Sequence, residues 1–203
     1  MPLRYAYGVM YTFGIPGADV KPFKMGAGTD NVWITSMSSR AIDGAGSRMC
    51  ISVKRDSQGA ASATGENAVL MGLSAASEWW PRGQCSMDIE YNGGTKGARI
   101  KGNYFTQWFK EVAQEGLRSA NSHTAGDASH SMLLTELERI DQAKPGSVKG
   151  WAMDHCDLVD PKDIPRAAKL GLIWSCPAPG VGGAADMAAA FGERVVHTHH
   201  VPI

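Results

Sequence analysis

Two histidines stand where predicted β-strands end, a position from which side chains can reach a shared site. His123 closes the segment 117–123 and His155 closes the segment 151–155, and a loop follows each of them. In a parallel (β/α) barrel, side chains at the carboxyl ends of the strands converge on one face. Two neutral imidazoles there can bind a divalent metal ion, which lowers the pKa of a bound water to about 7. A purely structural role for both histidines is the alternative that their spacing leaves open.

Short strands and helices alternate in the second half of the chain. The predicted order is helix 103–116, strand 117–123, helix 128–143, strand 151–155, a helix capped by Asp160 and ended by Lys169 and Gly171, strand 172–175 and helix 185–191. Apolar residues recur at helical spacing in the helices, and β-formers dominate the strands. This alternation predicts the α/β class, with parallel strands and helices packed against them.

The first half of the chain is less regular. Residues 3–11 and 32–37 are rich in strand formers and are each followed by a Gly-rich stretch, and 49–53 is a third strand candidate. Residues 56–101 show no clean period, so we expect a loop-rich insertion there. Its Trp79-Trp80-Pro81 is either a packing anchor or a substrate-facing patch.

The residues around the two histidines carry longer motifs. His123-Thr124-Ala125-Gly126-Asp127-Ala128 resembles the H-A-x-G-D-x-A motif of the amidohydrolase superfamily, in the branch called amidohydrolase family 3. The stretch from Met153 to Arg166 resembles that branch's x-E-H-x-x-x-V-x-P-x-D-I-x-R motif and continues into 168–175. The resemblance is clear over 103–178. Elsewhere it is thinner, although Leu3-Arg4-Tyr5 and Ile42-Asp43-Gly44 are similar to an earlier strand and an Asp-Gly loop of the family.

The resemblance implies a metal-dependent hydrolase of amide or related C–N bonds in a small molecule, on a TIM-like (β/α) barrel. It implies that His123 and His155 hold a divalent metal ion, with zinc as the expected ion. Asp127 occupies the family's Gly-Asp position. There it either caps the helix that begins at Ala128 or hydrogen-bonds to His123. Cys156 stands where the family often has a small residue, and we expect it only to pack.

Several parts of the family pattern are missing. No His-x-His pair precedes Leu3, and Met37-Ser38-Ser39-Arg40 lacks the family's metal-bridging lysine or acid. Cys176 replaces a glutamine, and the sequence stops before the strand whose aspartate acts as general base. The late His197-Thr198-His199-His200 is expected to be a solvated or partner-facing tail.

The length of the chain, like the missing motifs, indicates an incomplete barrel. The chain has 203 residues, whereas a TIM barrel typically needs about 250. Two histidines are also fewer than the three protein ligands of a catalytic zinc site. We therefore expect residues 1–203 to form a single partial barrel domain.

Charge and cysteine content exclude other classes. The 20 basic and 20 acidic residues cancel, which argues against a nucleic-acid binder. The sequence has neither an apolar run long enough to span a membrane nor a recognisable signal peptide. Four cysteines without C-x-x-C spacing, at 50, 85, 156 and 176, predict buried reduced thiols in a cytoplasmic protein.

Two hypotheses therefore stand side by side. In the first, the chain is a fragment or subunit of an amidohydrolase-3-like enzyme, and the missing strands come from another chain, from another gene half or not at all. In the second, it is a non-catalytic assembly subunit derived from such a barrel. Both predict a homo- or hetero-oligomer, because sheet edges left open need to be covered.

Overall fold

The computed structural model describes residues 3–10, 20–39, 42–43, 52, 104–120, 122–176, 185, 188 and 192–199. The insertion predicted over 56–101 lies outside these residues, as do most of the strand candidate 49–53 and most of the helix predicted over 185–191. The elements are β1 (Tyr5–Met10), β2 (Val32–Ser38), α1 (Tyr104–Gln114), β3 (His123–Thr124), α2 (Asp127–Ala143), β4 (Ala152–His155), α3 (Asp163–Leu170), β5 (Ile173–Ser175) and α4 (Glu193–His199). The chain is therefore α/β.

The described strands are parallel and follow one another in chain order. β1 pairs with β2, β3 with β4, and β4 with β5. A parallel bridge between Met37 and Ser119 joins β2 to the segment that leads into β3, and Ala152 N–H donates to the Ser119 carbonyl at 2.9 Å. Over the part of the chain that the structure describes, these strands do not close into a barrel.

Apolar faces of α1 and α2 build the core against the strands. Trp108 and Phe109 of α1 are buried with Trp151, and Leu134 and Leu137 of α2 belong to the same cluster. These residues recur at intervals of three and four, the period that places side chains on one helix face. The helices predicted over 103–116 and 128–143 are thus confirmed with end points shifted by one or two residues.

The start of α3 differs from the prediction that Asp160 caps it. Asp160 instead forms a turn, because its carboxylate accepts from Lys162 N–H at 3.0 Å and its carbonyl accepts from Asp163 N–H at 2.8 Å. The helix begins at Asp163 and ends at Leu170, and the following Gly171 has a left-handed φ of 68° that suits glycine. Arg166 ties α3 to α2 through Glu138, with two nitrogen–oxygen distances of 2.9 Å.

The histidine-rich segment near the C-terminus is helical where the structure describes it, and its His197 and Thr198 are exposed, as expected of a solvated segment. Glu193–His199 is a helix whose Val195 is fully buried. The carbonyl of His199 accepts a 2.7 Å hydrogen bond from Val159 N–H in the loop that follows β4. The buried valine and this backbone contact dock the helix beside the end of β4.

Cys156 and Cys176 form a disulfide, so the prediction of reduced thiols is wrong for this pair. The two cysteines directly follow the neighbouring parallel strands β4 and β5, and their Cα atoms are 5.2 Å apart. Adjacent strands lie about 4.8 Å apart, within the Cα range that a disulfide accepts. Cys156 therefore does more than pack.

None of the helices in the described ranges is long and apolar enough to cross a membrane.

Candidate functional site

Pairing of β3 with β4 brings His123 and His155 together. Thr124 is opposite His155, and His123 is opposite Asp154, so the two histidines lie one register step apart on adjacent parallel strands. Their ring centroids are 3.9 Å apart and their planes are inclined by 38°. Both side chains are partly exposed, at 28% and 33%, so a solute can reach them. The two residues predicted to share a site are thus neighbours.

The buried carboxylate of Asp43 organises the His123 side of this pair. Its Oδ1 accepts from Ala125 N–H at 2.7 Å, and its Oδ2 accepts from Gly126 N–H at 2.9 Å and from the Ser129 hydroxyl at 2.7 Å. Asp43 Oδ1 also lies 3.7 Å from His123 Nδ1, too far for a hydrogen bond but close enough for a strong charge interaction. This carboxylate raises the pKa of His123, against the opposing effect of burial.

Asp127 has a different partner from either predicted one. It is the first residue of α2, Gly126 occupies the N-cap position, and no side-chain cap hydrogen bond forms. Its buried carboxylate accepts hydrogen bonds from the backbone N–H of Ser52, at 3.0 Å, and from the Ser52 hydroxyl. Burial raises the pKa of Asp127, and the Ser52 hydrogen bonds oppose that rise. In the described ranges, the carboxylate beside His123 is therefore Asp43.

The backbone at His155 adopts an uncommon conformation. His155 has a φ of 78° and Cys156 a φ of 55°, the left-handed region that residues with a Cβ rarely occupy. Each such residue costs about 1 kcal/mol or more unless its surroundings hold it there. The Cys156–Cys176 disulfide is one such restraint, and the pairing of His155 with β3 is another. The orientation of His155 thus depends on the chain that follows it.

His130 is a further histidine near the pair, and the sequence analysis did not single it out. It is fully buried on α2, neither ring nitrogen has a hydrogen-bond partner among the described residues, and its ring meets Trp174 edge to face at 5.2 Å. Burial lowers its pKa to about 4, and the charges of His155 and His123 act in the same direction while Asp43 opposes them. Its spacing from Leu133, Leu134 and Leu137, on the buried helix face, was a usable signal.

The described residues include two imidazoles of the type that binds metal ions in proteins. Neutral imidazoles are good ligands for zinc, and a carboxylate beside the other ring nitrogen of a ligating histidine is a common support. Asp43 lies on the Nδ1 side of His123 at 3.7 Å, without the hydrogen bond of that arrangement, and His155 supplies a second imidazole. However, within the described residues no three or more His, Cys, Asp and Glu side chains are grouped so that they could hold a metal ion. The described residues therefore offer two candidate imidazole ligands and no complete metal site.

Comparison with known proteins adds no relative. No protein-family model, no curated protein and no solved structure matches the chain. The resemblance to amidohydrolase family 3 consequently depends on the motifs around His123 and His155.

Asp43→Asn tests the role of the buried carboxylate. The asparagine side chain has the shape of aspartate, but its NH2 group would face one of the groups that donate to Asp43. We therefore expect the free energy of unfolding to fall by about 1–3 kcal/mol. The pKa of His123 should fall as well, because the neighbouring negative charge is lost. Chemical denaturation and NMR titration of the His123 ring measure the two effects. Asp141→Asn is the matched control, since Asp141 accepts a 2.8 Å hydrogen bond from Gly146 N–H in a turn after α2. An unchanged His123 pKa in Asp43→Asn would contradict the assignment.

Because the His130 imidazole is buried, we expect the free energy of unfolding to depend on pH. The unfolded chain binds a proton at His130 with a pKa of about 6.5, whereas the folded chain binds it only near pH 4. Protonation therefore favours the unfolded chain as the pH falls below about 6.5, and the loss, roughly 3 kcal/mol, is complete below about 4.

His130→Leu should remove this part of the acid sensitivity, because leucine fills a similar volume without a titrating group. Denaturant unfolding between pH 7 and pH 4 measures the difference between the variant and the wild type. His197→Leu, at an exposed position of α4, is the control. Equal pH slopes for wild type and His130→Leu would show that the buried imidazole does not titrate in this way.

Proposed function

We propose that the chain is part of a metal-dependent hydrolase of amide or related C–N bonds, with His123 and His155 as two of the metal ligands. The observation that carries the proposal is the 3.9 Å approach of the two imidazole rings at the carboxyl end of β4, where His123 begins the neighbouring parallel strand β3. The motif resemblance around both histidines supplies the reaction class. Convergence of side chains at that end of a parallel sheet is the arrangement on which barrel enzymes build their active sites.

Each residue of the site has a separate task in this proposal. A divalent ion, for which zinc is the natural candidate, would supply Lewis acidity and an activated water. His123 and His155 would bind it through ring nitrogens, and Asp43 would hold the His123 ring by its charge on the Nδ1 side. Asp127 would act indirectly, because its hydrogen bonds to Ser52 attach a segment of the first half of the chain to the start of α2. The remaining ligands would be water or donors outside the described ranges.

A partial TIM-like barrel is the architecture that we propose for residues 1–203. Parallel strands in chain order, with α2 and α3 each connecting one strand to the next, are the repeating unit of that fold. Small amide-type substrates would then enter at the ends of the strands, where the histidines are partly exposed.

A second candidate is a non-catalytic assembly subunit, and one observation favours it. Large apolar side chains are exposed on β1 and its approach, with Leu3 at 73%, Tyr5 at 57% and Tyr7 at 43%, and Ile173 of β5 is exposed at 55%. β1 and β5 are also the outermost of the described strands. Exposed apolar residues on outer strands are typical of surfaces that another chain covers, and a homo- or hetero-oligomer would cover both.

Metal binding tests the first candidate. The purified chain should bind Zn²⁺ or Co²⁺ in equilibrium dialysis. His123→Ala and His155→Ala should each raise the dissociation constant of the metal ion. The loss should exceed the roughly 10- to 100-fold that removal of an outer-shell partner causes. His197→Ala, at an exposed position of α4, should bind as the wild type does. Unchanged affinity in both pair variants would overturn the proposal, and amide hydrolysis by the metal-loaded chain would extend it.

Assembly tests the second candidate. Light scattering should show an oligomer, and the double substitution Leu3→Lys and Tyr5→Lys should shift it towards monomer, because charge on an outer strand opposes edge-to-edge association. Glu115→Lys, at an exposed site after α1, is the control for added positive charge. A monomeric wild type would rule this candidate out without affecting the metal-binding result.

A further inference from the structure

We propose that the Cys156–Cys176 disulfide positions His155 against His123 and makes the geometry of this histidine pair depend on the redox state. The positioning part stands on the fold alone. Its consequence for metal affinity rests on the proposed function.

The first step is the position of the disulfide in the chain. Cys156 directly follows His155, and both have a left-handed backbone, with φ values of 55° and 78°. Cys176 directly follows β5, the strand that pairs with β4 on the side away from β3. The disulfide therefore joins the strained two-residue turn at the end of β4 to the end of the next strand.

Two contacts on the β3 side also hold this turn. His155 pairs with Thr124 of β3 at the end of the strand register. Two residues beyond Cys156, Leu158 N–H donates to the Ala125 carbonyl at 2.9 Å. Both contacts restrain the turn from the β3 side, whereas the disulfide restrains it from the β5 side. Of these restraints, the disulfide is the one that a change of redox state can remove.

The third step is chemical access. Cys156 is fully buried, but Cys176 is exposed, so the Cys176 sulfur is the accessible point of attack. A thiolate of an external dithiol attacks Cys176 Sγ, forms a mixed disulfide and releases Cys156 as a thiolate, which takes up a proton. The second thiol of the reductant then attacks its own sulfur in the mixed disulfide, closes the reductant's disulfide and releases Cys176. Two electrons pass from the dithiol to the protein, which ends with two free thiols.

The consequence concerns the orientation of His155. Without the covalent restraint, His155 and Cys156 can leave the left-handed region for a conformation that suits residues with a Cβ. Because the His155 side chain turns with its backbone, the ring then moves away from His123. Reduction should therefore separate the two rings and lower the affinity for any metal ion that both of them bind.

The experiment compares four forms of the full chain by NMR and by Co²⁺ titration. These are the oxidised wild type, the wild type reduced with a phosphine, Cys156→Ser/Cys176→Ser and Cys156→Gly/Cys176→Ser. The glycine form is the decisive one, because glycine accepts a left-handed backbone without a disulfide. It should retain ring-to-ring nuclear Overhauser contacts that the serine form and the reduced wild type lose. Co²⁺ affinity should fall at least tenfold in the serine form and less in the glycine form.

The controls separate positioning from stability. Arg166→Ala removes the contact between α3 and Glu138 of α2, so it should destabilise the fold while leaving the ring contacts intact. Circular dichroism should show that the serine form keeps its helices. Ring contacts that persist in the reduced wild type and in the serine form, or global unfolding on reduction, would mean that the disulfide serves only stability and would overturn the proposal.

The two readouts also distinguish this proposal from the proposed function. Ring contacts that depend on the disulfide, in a chain that binds no Co²⁺ in any form, would support positioning and contradict the metal site. Equal Co²⁺ affinity and equal ring contacts in all four forms would support the metal site and overturn positioning.

Discussion

The buried carboxylate of Asp43 is the contact on which the arrangement of the candidate site depends. It accepts from two consecutive backbone N–H groups and from the Ser129 hydroxyl, and its charge acts on His123. One side chain therefore satisfies the turn between β3 and α2 and sets the environment of the first histidine of the pair. A buried carboxylate needs such partners, since burying an unpaired charge is far more costly than the individual hydrogen bonds are stabilising.

The second histidine is held by a different physical means. Whereas the charge of Asp43 lies beside the His123 ring, His155 lies in a left-handed backbone turn that a disulfide joins to the end of β5. Strain of this kind persists only where the surrounding structure imposes it, and such positions cluster at functional sites. The two histidines are thus restrained by different means, although the turn at His155 also contacts β3 and the residue after it.

Local sequence signals predicted the elements well and the contacts between them poorly. The apolar period of α1 and α2 and the left-handed Gly171 are properties of neighbouring residues, so the sequence alone locates those helices. Asp43 and Ser129, in contrast, are far apart in the chain and meet only because β2 and the segment leading into β3 bridge at Met37 and Ser119. The disulfide escaped prediction for the same reason, because cysteine spacing does not reveal which strand ends become neighbours.

Asp43 also determines what a metal ion would have to overcome at this site. A metal ligand must be an unprotonated imidazole, and Asp43 favours the proton on His123 by raising its pKa. Binding therefore displaces a proton that the fold itself stabilises, yet the same carboxylate attracts the cation that replaces it. Any metal ion that both imidazoles bound would therefore have to replace the proton on His123, and it would lie at the edge of the ring pair, because a ligating nitrogen binds the ion in the plane of its ring.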